Sequence, residues 1–224
     1  MTNKLIVFDW DGTLMDSQAR IVACMQAAIA DVELPELSAS EISYVIGLGL
    51  REAVTTLFPE ASESDYAALT DRYRYHFLVG DKTPSPLFEG VSELLEQLLS
   101  RDYFLAVATG KARRGLDRVL EECGMTTLFH ATRCADESFS KPHPQMLLDI
   151  MDELGVEPES TLMVGDTEFD LQMANNCRAH SVAVTYGVHE KQRLLDCQPL
   201  ACLDSIEELQ HWLLQEHWLL PLPN

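Results

Sequence analysis

Four short clusters in this 224-residue chain carry side chains that could do chemistry together. The first, Asp9-Trp10-Asp11-Gly12-Thr13, directly follows the apolar run Leu5-Ile6-Val7-Phe8. Side chains alternate along a strand, so Asp9 and Asp11 leave its C-terminal end pointing the same way, and Gly12 lets the backbone turn beside them. Two carboxylates in one small space raise each other's proton affinity unless a cation or a proton intervenes. An ordinary Asp-Gly turn accounts for Gly12 and one carboxylate but not for the second. The other clusters are Thr109-Gly110-Lys111, Lys141-Pro142 and Gly165-Asp166-Thr167-Glu168-Phe169-Asp170. Each has a plain reading: a helix start, a solvated loop lysine, and a strand-end turn followed by a helix cap. On a segment entering a helix, the spacing of Asp166 and Asp170 puts both carboxylates on one face. Glu168 is expected to face solvent.

The elements that must position these clusters alternate. Leu5 to Phe8, rich in β-branched residues, reads as a strand buried on both faces of a parallel sheet. From Val91 onward, helices and strands take turns: helix 91–101, strand 104–108, helix 112–123 closed by Gly124, strand 130–133, a helix ending at Leu154 and Gly155, strand 162–164, strand 181–185, and an amphipathic helix 206–218. This is the pattern of an α/β fold, a Rossmann-like three-layer core with a parallel sheet. The chemical clusters follow the strands or lie in loops beyond them, the edge where such sheets bind ligands.

Between Asp16 and Thr83 no strand is predicted. Ile21, Val22, Met25, Ile29 and Val32 recur at helical spacing after Ser17, a candidate N-cap, and Ser38-x-x-Glu41 and Ser62-x-x-Asp65 match capping boxes. So long a block is better read as an inserted α-helical subdomain than as a connection. The division is 1–16 and 85–224 as core and 17–84 as helical cap, with hinges at Asp16-Ser17 and Thr83-Pro84-Ser85-Pro86. The segment after Trp218 is expected to be disordered or docked on a neighbour.

With 16 basic and 36 acidic residues the net charge is −20, which argues against nucleic acid and anionic membranes as partners. No stretch approaches the roughly 18 to 20 apolar residues of a membrane span. The chain starts straight into a strand rather than a signal peptide, so a cytoplasmic location is expected. The six cysteines, at 24, 123, 134, 177, 197 and 202, are scattered and expected to be free thiols.

In this order, Asp9-x-Asp11-Gly12-Thr13, Thr109-Gly110-Lys111, Lys141-Pro142 and Gly165-Asp166-x-x-x-Asp170 resemble the haloacid dehalogenase superfamily of phosphohydrolases. The helical insert resembles the branch with phosphoglycolate phosphatases and β-phosphoglucomutases. The resemblance implies a Mg²⁺-dependent phosphatase acting on a small phosphate monoester such as phosphoglycolate, a sugar phosphate or a nucleotide. Asp9 would be the nucleophile forming an aspartyl-phosphate, and Asp11 the general acid and base. Asp9, the backbone carbonyl of Asp11, and Asp166 would hold Mg²⁺. Thr109 and Gly110 would bind the transferring phosphoryl group, Lys141 would pin both Asp9 and the phosphate, and Asp170 would orient Lys141 or a metal-bound water. Lys111 would attract substrate without being catalytic, and the lone His143 and His189 read as structural or solvated.

A cap of this kind closes over the site and selects substrate. Gly47-Leu48-Gly49-Leu50-Arg51 resembles the cap loop facing the site in related enzymes, and Arg51 is the candidate substrate reader. A phosphosugar mutase would need additional basic cap residues, which Arg51, Arg72, Arg74 and Lys82 do not clearly supply. A non-catalytic phosphate-binding protein would lack one of Asp9, Asp11, Lys141 and Asp166. A monomer or homodimer is expected. One departure concerns Arg178, where related sequences usually have Gly. A left-handed Arg there would be strained by roughly 1 kcal/mol, so the turn is expected to differ or to fall on Asn176.

Overall fold

The computed structural model describes residues 4–215. Its centre is a six-stranded sheet in the order β3-β2-β1-β4-β5-β6, parallel throughout. The strands are β1 (Leu5–Phe8), β2 (Phe104–Thr109), β3 (Ala131–Cys134), β4 (Thr161–Gly165), β5 (His180–Val184) and β6 (Cys202–Leu203). β1 is buried along its whole length between β2 and β4. The chain runs outward from β1 through β2 to β3 and then returns to β1's other side with β4, so the order of strands reverses at β1, where open α/β sheets hold ligands.

Both faces of the sheet are covered, as the uniformly apolar strands require. On one face Ile6, Phe8, Leu105 and Val107 pack with α5 (Val91–Leu99), α6 (Arg113–Glu122) and α10 (Ile206–Leu214). On the other, Leu5, Val7, Ala106 and Met163 pack with α7 (Gln145–Leu154) and α8 (Glu168–Asn176). Gly124 and Gly155 take left-handed conformations just past their helices, as their positions imply. The sequence pattern does not announce α9 (Lys191–Asp196) or the two-residue β6: both are too short to develop a periodic signal. The last helix is described only to Leu214; the remainder of its expected span and the tail after Trp218 lie outside the described residues.

Residues 17–84 contain only helices: α1 (Gln18–Asp31), α2 (Ala39–Tyr44), α3 (Leu50–Leu57), α4 (Glu63–Tyr75) and a π-helical turn, His76–Gly80. Both expected capping boxes form, Ser38 with Glu41 and Ser62 with Asp65. Val22, Met25, Ile29, Ile42, Val54 and Leu69 bury one another in an apolar cluster of their own. The chain enters and leaves this block side by side, with the Asp16 N–H donating to the Pro86 carbonyl at 2.8 Å and the Phe88 N–H to the Leu14 carbonyl at 3.0 Å.

Two local expectations are corrected. Ser17 precedes α1 but does not cap it; its hydroxyl donates instead to Asp11 Oδ1 at 2.6 Å. Arg178 itself adopts the left-handed conformation, at φ 62°. Its N–H reaches the Asn175 carbonyl at 3.2 Å and the Ala179 N–H reaches that of Ala174 at 3.0 Å, the paired bonds that close a helix end and offset the strain. Asn176 stays helical and donates its side-chain amide to the Pro142 carbonyl at 2.9 Å, bracing the loop that carries Lys141.

Among the described residues no helix is long and apolar enough to cross a membrane, and all six cysteines are free.

Candidate active site

Strand register brings the clusters together. Phe8 lies between Val107 and Val164, so Asp9 leaves β1 level with the ends of β2 and β4. There the Asp9 N–H donates to the Val164 carbonyl at 2.9 Å. Thr109 ends β2, and Asp166 follows β4. Asp9, Thr109, Lys141, Asp166 and Asp170 are all buried.

Lys141 is wholly enclosed, with Nζ 2.8 Å from Asp9 Oδ1 and 2.6 Å from Asp170 Oδ1. Burial opposes its charge, but the attraction of Asp170 and Asp9 outweighs burial and holds the ammonium above the ordinary lysine value. Asp170 is in turn fixed by the α8 capping box, its Oδ2 accepting from the Thr167 hydroxyl at 2.7 Å and the Thr167 N–H at 3.1 Å. The expected link from Asp170 to Lys141 is thus direct contact.

Asp166 accepts from the Thr13 hydroxyl at 2.7 Å and from the Val188 N–H at 2.8 Å. Gly12, at φ 85°, gives it room: a Cβ there would stand 2.2 Å from Asp166 Oδ2. Despite these donors, burial pushes the Asp166 carboxyl up to about 7, with the charge of Asp170 adding to the shift. Burial likewise raises Asp9 well above the ordinary aspartate value, although Lys141 opposes it. Asp9 Oδ2 is buried without a protein donor. Asp9, Asp166 and Asp170 each bring an oxygen within 4.8 Å of the others. Since Asp170 is occupied by Lys141 and Thr167, Asp9 and Asp166 are the side chains that could hold a cation. An orphaned buried oxygen beside a second strained carboxylate fits such an ion.

Asp11 points elsewhere. Its Oδ1 accepts from Ser17 and lies 2.9 Å from Lys111 Nζ. Lys111, expected to be peripheral, is therefore in contact with one of the central acids, and its ammonium also sits 4.8 Å above the Phe77 ring. Thr109 Oγ1 accepts the Lys111 N–H at 3.2 Å, leaving the hydroxyl hydrogen available to donate. Gly110 serves a purpose the sequence did not suggest: a Cβ there would lie 2.4 Å from the Leu48 carbonyl oxygen. The helical block's Gly47–Gly49 loop thus rests directly on the end of β2, and the Gly49 N–H donates to Ser140 Oγ at 2.8 Å. Gly110→Ala is expected to push this loop away, lowering catalytic efficiency about tenfold and speeding amide exchange over residues 45–50, measured by hydrogen–deuterium exchange mass spectrometry.

A cavity of about 580 Å³ opens between the sheet edge and the helical block, with Asp9 and Asp11 at one end. Arg51 lines it, but its guanidinium is tied to Glu63 at 2.9 Å and its side chain is 71% exposed, so it stands at the rim. His189 is buried and structural: its Nδ1 accepts the Glu168 N–H, Nε2 lies 3.0 Å from the Tyr44 carbonyl, and its ring stacks on Tyr44. His143 is exposed and stacks on Phe139. Glu168, expected in solvent, is largely covered and pairs with Arg193 of α9 at 2.9 Å. That helix was not foreseen. Ser17, Thr13, Thr167 and the Val188 N–H are the site's missed contributors. Thr13, within the Asp9–Thr13 cluster, and Thr167, three residues before Asp170 as in a capping box, carried legible signals but were given no role.

The haloacid dehalogenase-like hydrolase family model matches residues 6–184. A "Probable phosphatase IndB" from Dickeya dadantii is 34% identical over 209 residues, covering 92% of this chain and 91% of that protein. A "Phosphoglycolate phosphatase" from Aliivibrio fischeri is 31% identical over 218 residues, covering 92% and 94%. In fold, the crystal structure of a "predicted phosphatase" from Clostridium acetobutylicum superimposes with a TM-score of 0.85 at 23% identity, over 96% of this chain and 100% of that one. The chain belongs to the haloacid dehalogenase-like hydrolase family and, within it, is similar to proteins named phosphatase and phosphoglycolate phosphatase.

Proposed function

We propose that the protein hydrolyses a small-molecule phosphate monoester with Mg²⁺, through an aspartyl-phosphate on Asp9. The observation that carries this reading is the state of Asp9: one oxygen is held by Lys141, the other is buried with no donor, and Asp166 stands beside it. Carboxylate oxygens are hard ligands that suit Mg²⁺. Asp9, Asp166 and the Asp11 backbone carbonyl would hold the ion, which when bound would offset charge on the phosphate and on the two acids.

Lys141 and the Thr109 hydroxyl, with the Gly110 N–H, bind the phosphoryl oxygens, and Lys141 favours the ionised form of Asp9 against burial and aims it. The Asp9 carboxylate attacks phosphorus as the ester P–O bond breaks, and Asp11 gives its proton to the departing oxygen. Water then attacks the phosphoaspartate and Asp11 takes its proton, which frees inorganic phosphate and restores Asp9. Ser17 and Lys111 hold the Asp11 carboxyl in place through both steps.

In the same reading residues 1–16 and 85–224 form the catalytic core, and 17–84 a cap that hinges on the paired segments at Asp16 and Pro86 to exclude water. The protein acts in the cytoplasm as a monomer or homodimer, without nucleic acid or membrane. No observation favours a phosphosugar mutase: Arg51, Arg72 and Arg74 each pair with an acid of their own helical block.

The test is phosphate release from an ester panel with Mg²⁺ or with chelator. Turnover should require the metal, and saturating Mg²⁺ should raise unfolding stability, by about 2.7 kcal/mol at one hundred times its dissociation constant. Full turnover in chelator, or an unchanged melting curve, contradicts the metal assignment; no phosphate release from any ester contradicts the activity.

A further inference from the structure

The cavity beside the acids is large, and its covered walls away from them are apolar, with the other charged lining residues, Arg51, Glu52, Arg74, Arg114 and Asp136, exposed. Ile21 and Met25 of α1, Ile42 and Ile46 from α2 and the turn after it, and Phe77 and Leu78 of the π-helical turn form its walls. Its interior charges, Asp9, Asp11 and Lys111, all lie at the catalytic end, where Lys111 is paired with Asp11. The remaining charged lining residues are exposed, among them Arg51 at 71% and Arg74 at 57%. This volume persists with the Gly47–Gly49 loop already seated on Gly110 and Ser140, so it is not a cleft that awaits contact between the two layers. A two-carbon acid such as glycolate fills only a small part of about 580 Å³, a volume in the range of pockets that enclose drug-sized ligands. Its carboxylate would also stand against apolar walls, because Arg51, Arg74 and Arg114, the lining cations other than Lys111, are all exposed side chains; desolvating it there is costly.

Tyr73 adds a polar group to the apolar walls. Its ring lies 5.8 Å from that of Phe77, and its hydroxyl has no protein partner among the described residues. Burial, with the nearby Asp11 charge, raises its ionisation well above the ordinary tyrosine value, so it presents a neutral O–H. Tyr73 is half-buried and lines the cavity, so its hydroxyl can offer a hydrogen bond to a molecule held there.

Resting on the phosphatase reading above, we propose that the substrate is the phosphate monoester of a bulky alcohol whose body is uncharged and largely apolar, of ring size, with one polar group for Tyr73. The apolar walls desolvate the ring, the Phe77 face packs against it, and the phosphate reaches Asp9. Selection then comes from volume and desolvation rather than from a cap cation.

The test compares 2-phenylethyl phosphate with phosphoglycolate, whose leaving alcohols are of similar basicity, and uses acetyl phosphate as a compact donor that needs little of the cavity. The expected result is at least tenfold higher kcat/KM for 2-phenylethyl phosphate than for phosphoglycolate. Ile21→Lys, which places a cation in the chamber, should reverse the ranking. Equal or better cleavage of phosphoglycolate by the wild type overturns the substrate class while leaving the phosphatase intact, as does turnover of acetyl phosphate alone. Failure to release phosphate from all three overturns both. The wild-type ranking decides the matter even if the lysine variant does not fold.

Discussion

Asp9→Asn is expected to lower phosphate release by on the order of 10⁴-fold or more, the scale on which removal of a nucleophile acts, without loss of metal-free stability. The amide keeps the shape of the carboxylate but cannot attack phosphorus. It also relieves a conflict, because burial and the neighbouring Asp170 and Asp166 charges disfavour the ionised form of Asp9. A carboxyl whose pKa is raised on folding stabilises the fold fully at low pH, and that contribution falls as pH rises above the unfolded value. For Asp166 the window runs from 3.8 to about 7. Metal-free wild type should therefore lose stability between these limits, and Asp9→Asn should lose less. Urea denaturation at several pH values, alongside phosphate release at saturating substrate, measures both. Retention of more than about one hundredth of wild-type turnover would refute the role of Asp9.

The second large effect is structural. Lys141→Met keeps length and apolar bulk but leaves Asp9 and Asp170 buried without their shared cation. Breaking a buried ion pair from one side costs about 3–5 kcal/mol. In a chain of this size that lowers the melting temperature by roughly 6–20 °C. Adding Asp170→Asn should recover part of the loss, since one of the stranded charges disappears, so the double variant should be clearly less than additive. Activity should stay low in both, because the phosphate and Asp9 have lost their cation. A melting temperature within about 2 °C of wild type at neutral pH, well below the shift that such a loss implies, would mean that Lys141 does not hold these acids together; thermal denaturation followed by circular dichroism measures this.

Sequence alone determined the α/β class, the parallel sheet and the helical block at 17–84. Period and composition decide these: Leu5 to Phe8, short, apolar and rich in β-branched residues, fits a doubly buried strand, and Ser38 with Glu41 and Ser62 with Asp65 mark where helices begin. Asp9, Asp11, Thr109, Lys141, Asp166 and Asp170 were singled out by the resemblance of their clusters, in order, to the haloacid dehalogenase superfamily, and their places at or beyond strand ends agree with the edge where parallel sheets bind ligands. Tertiary structure decided which of them touch. Ser17 looked like a cap and instead holds Asp11. Lys111 looked peripheral and sits 2.9 Å from the same acid. Arg51, the candidate substrate reader, stands at the cavity rim with its guanidinium paired to Glu63. Arg178 accepts a left-handed conformation because two closing hydrogen bonds surround it. None of these contacts is encoded in local pattern. A hydroxyl or an ammonium takes the best partner within reach of its tether, and its reach is set by packing between segments distant in the chain, as between the Leu48 carbonyl and Gly110. The shape and polarity of the cavity arise in the same way, from helices of one block facing loops of another.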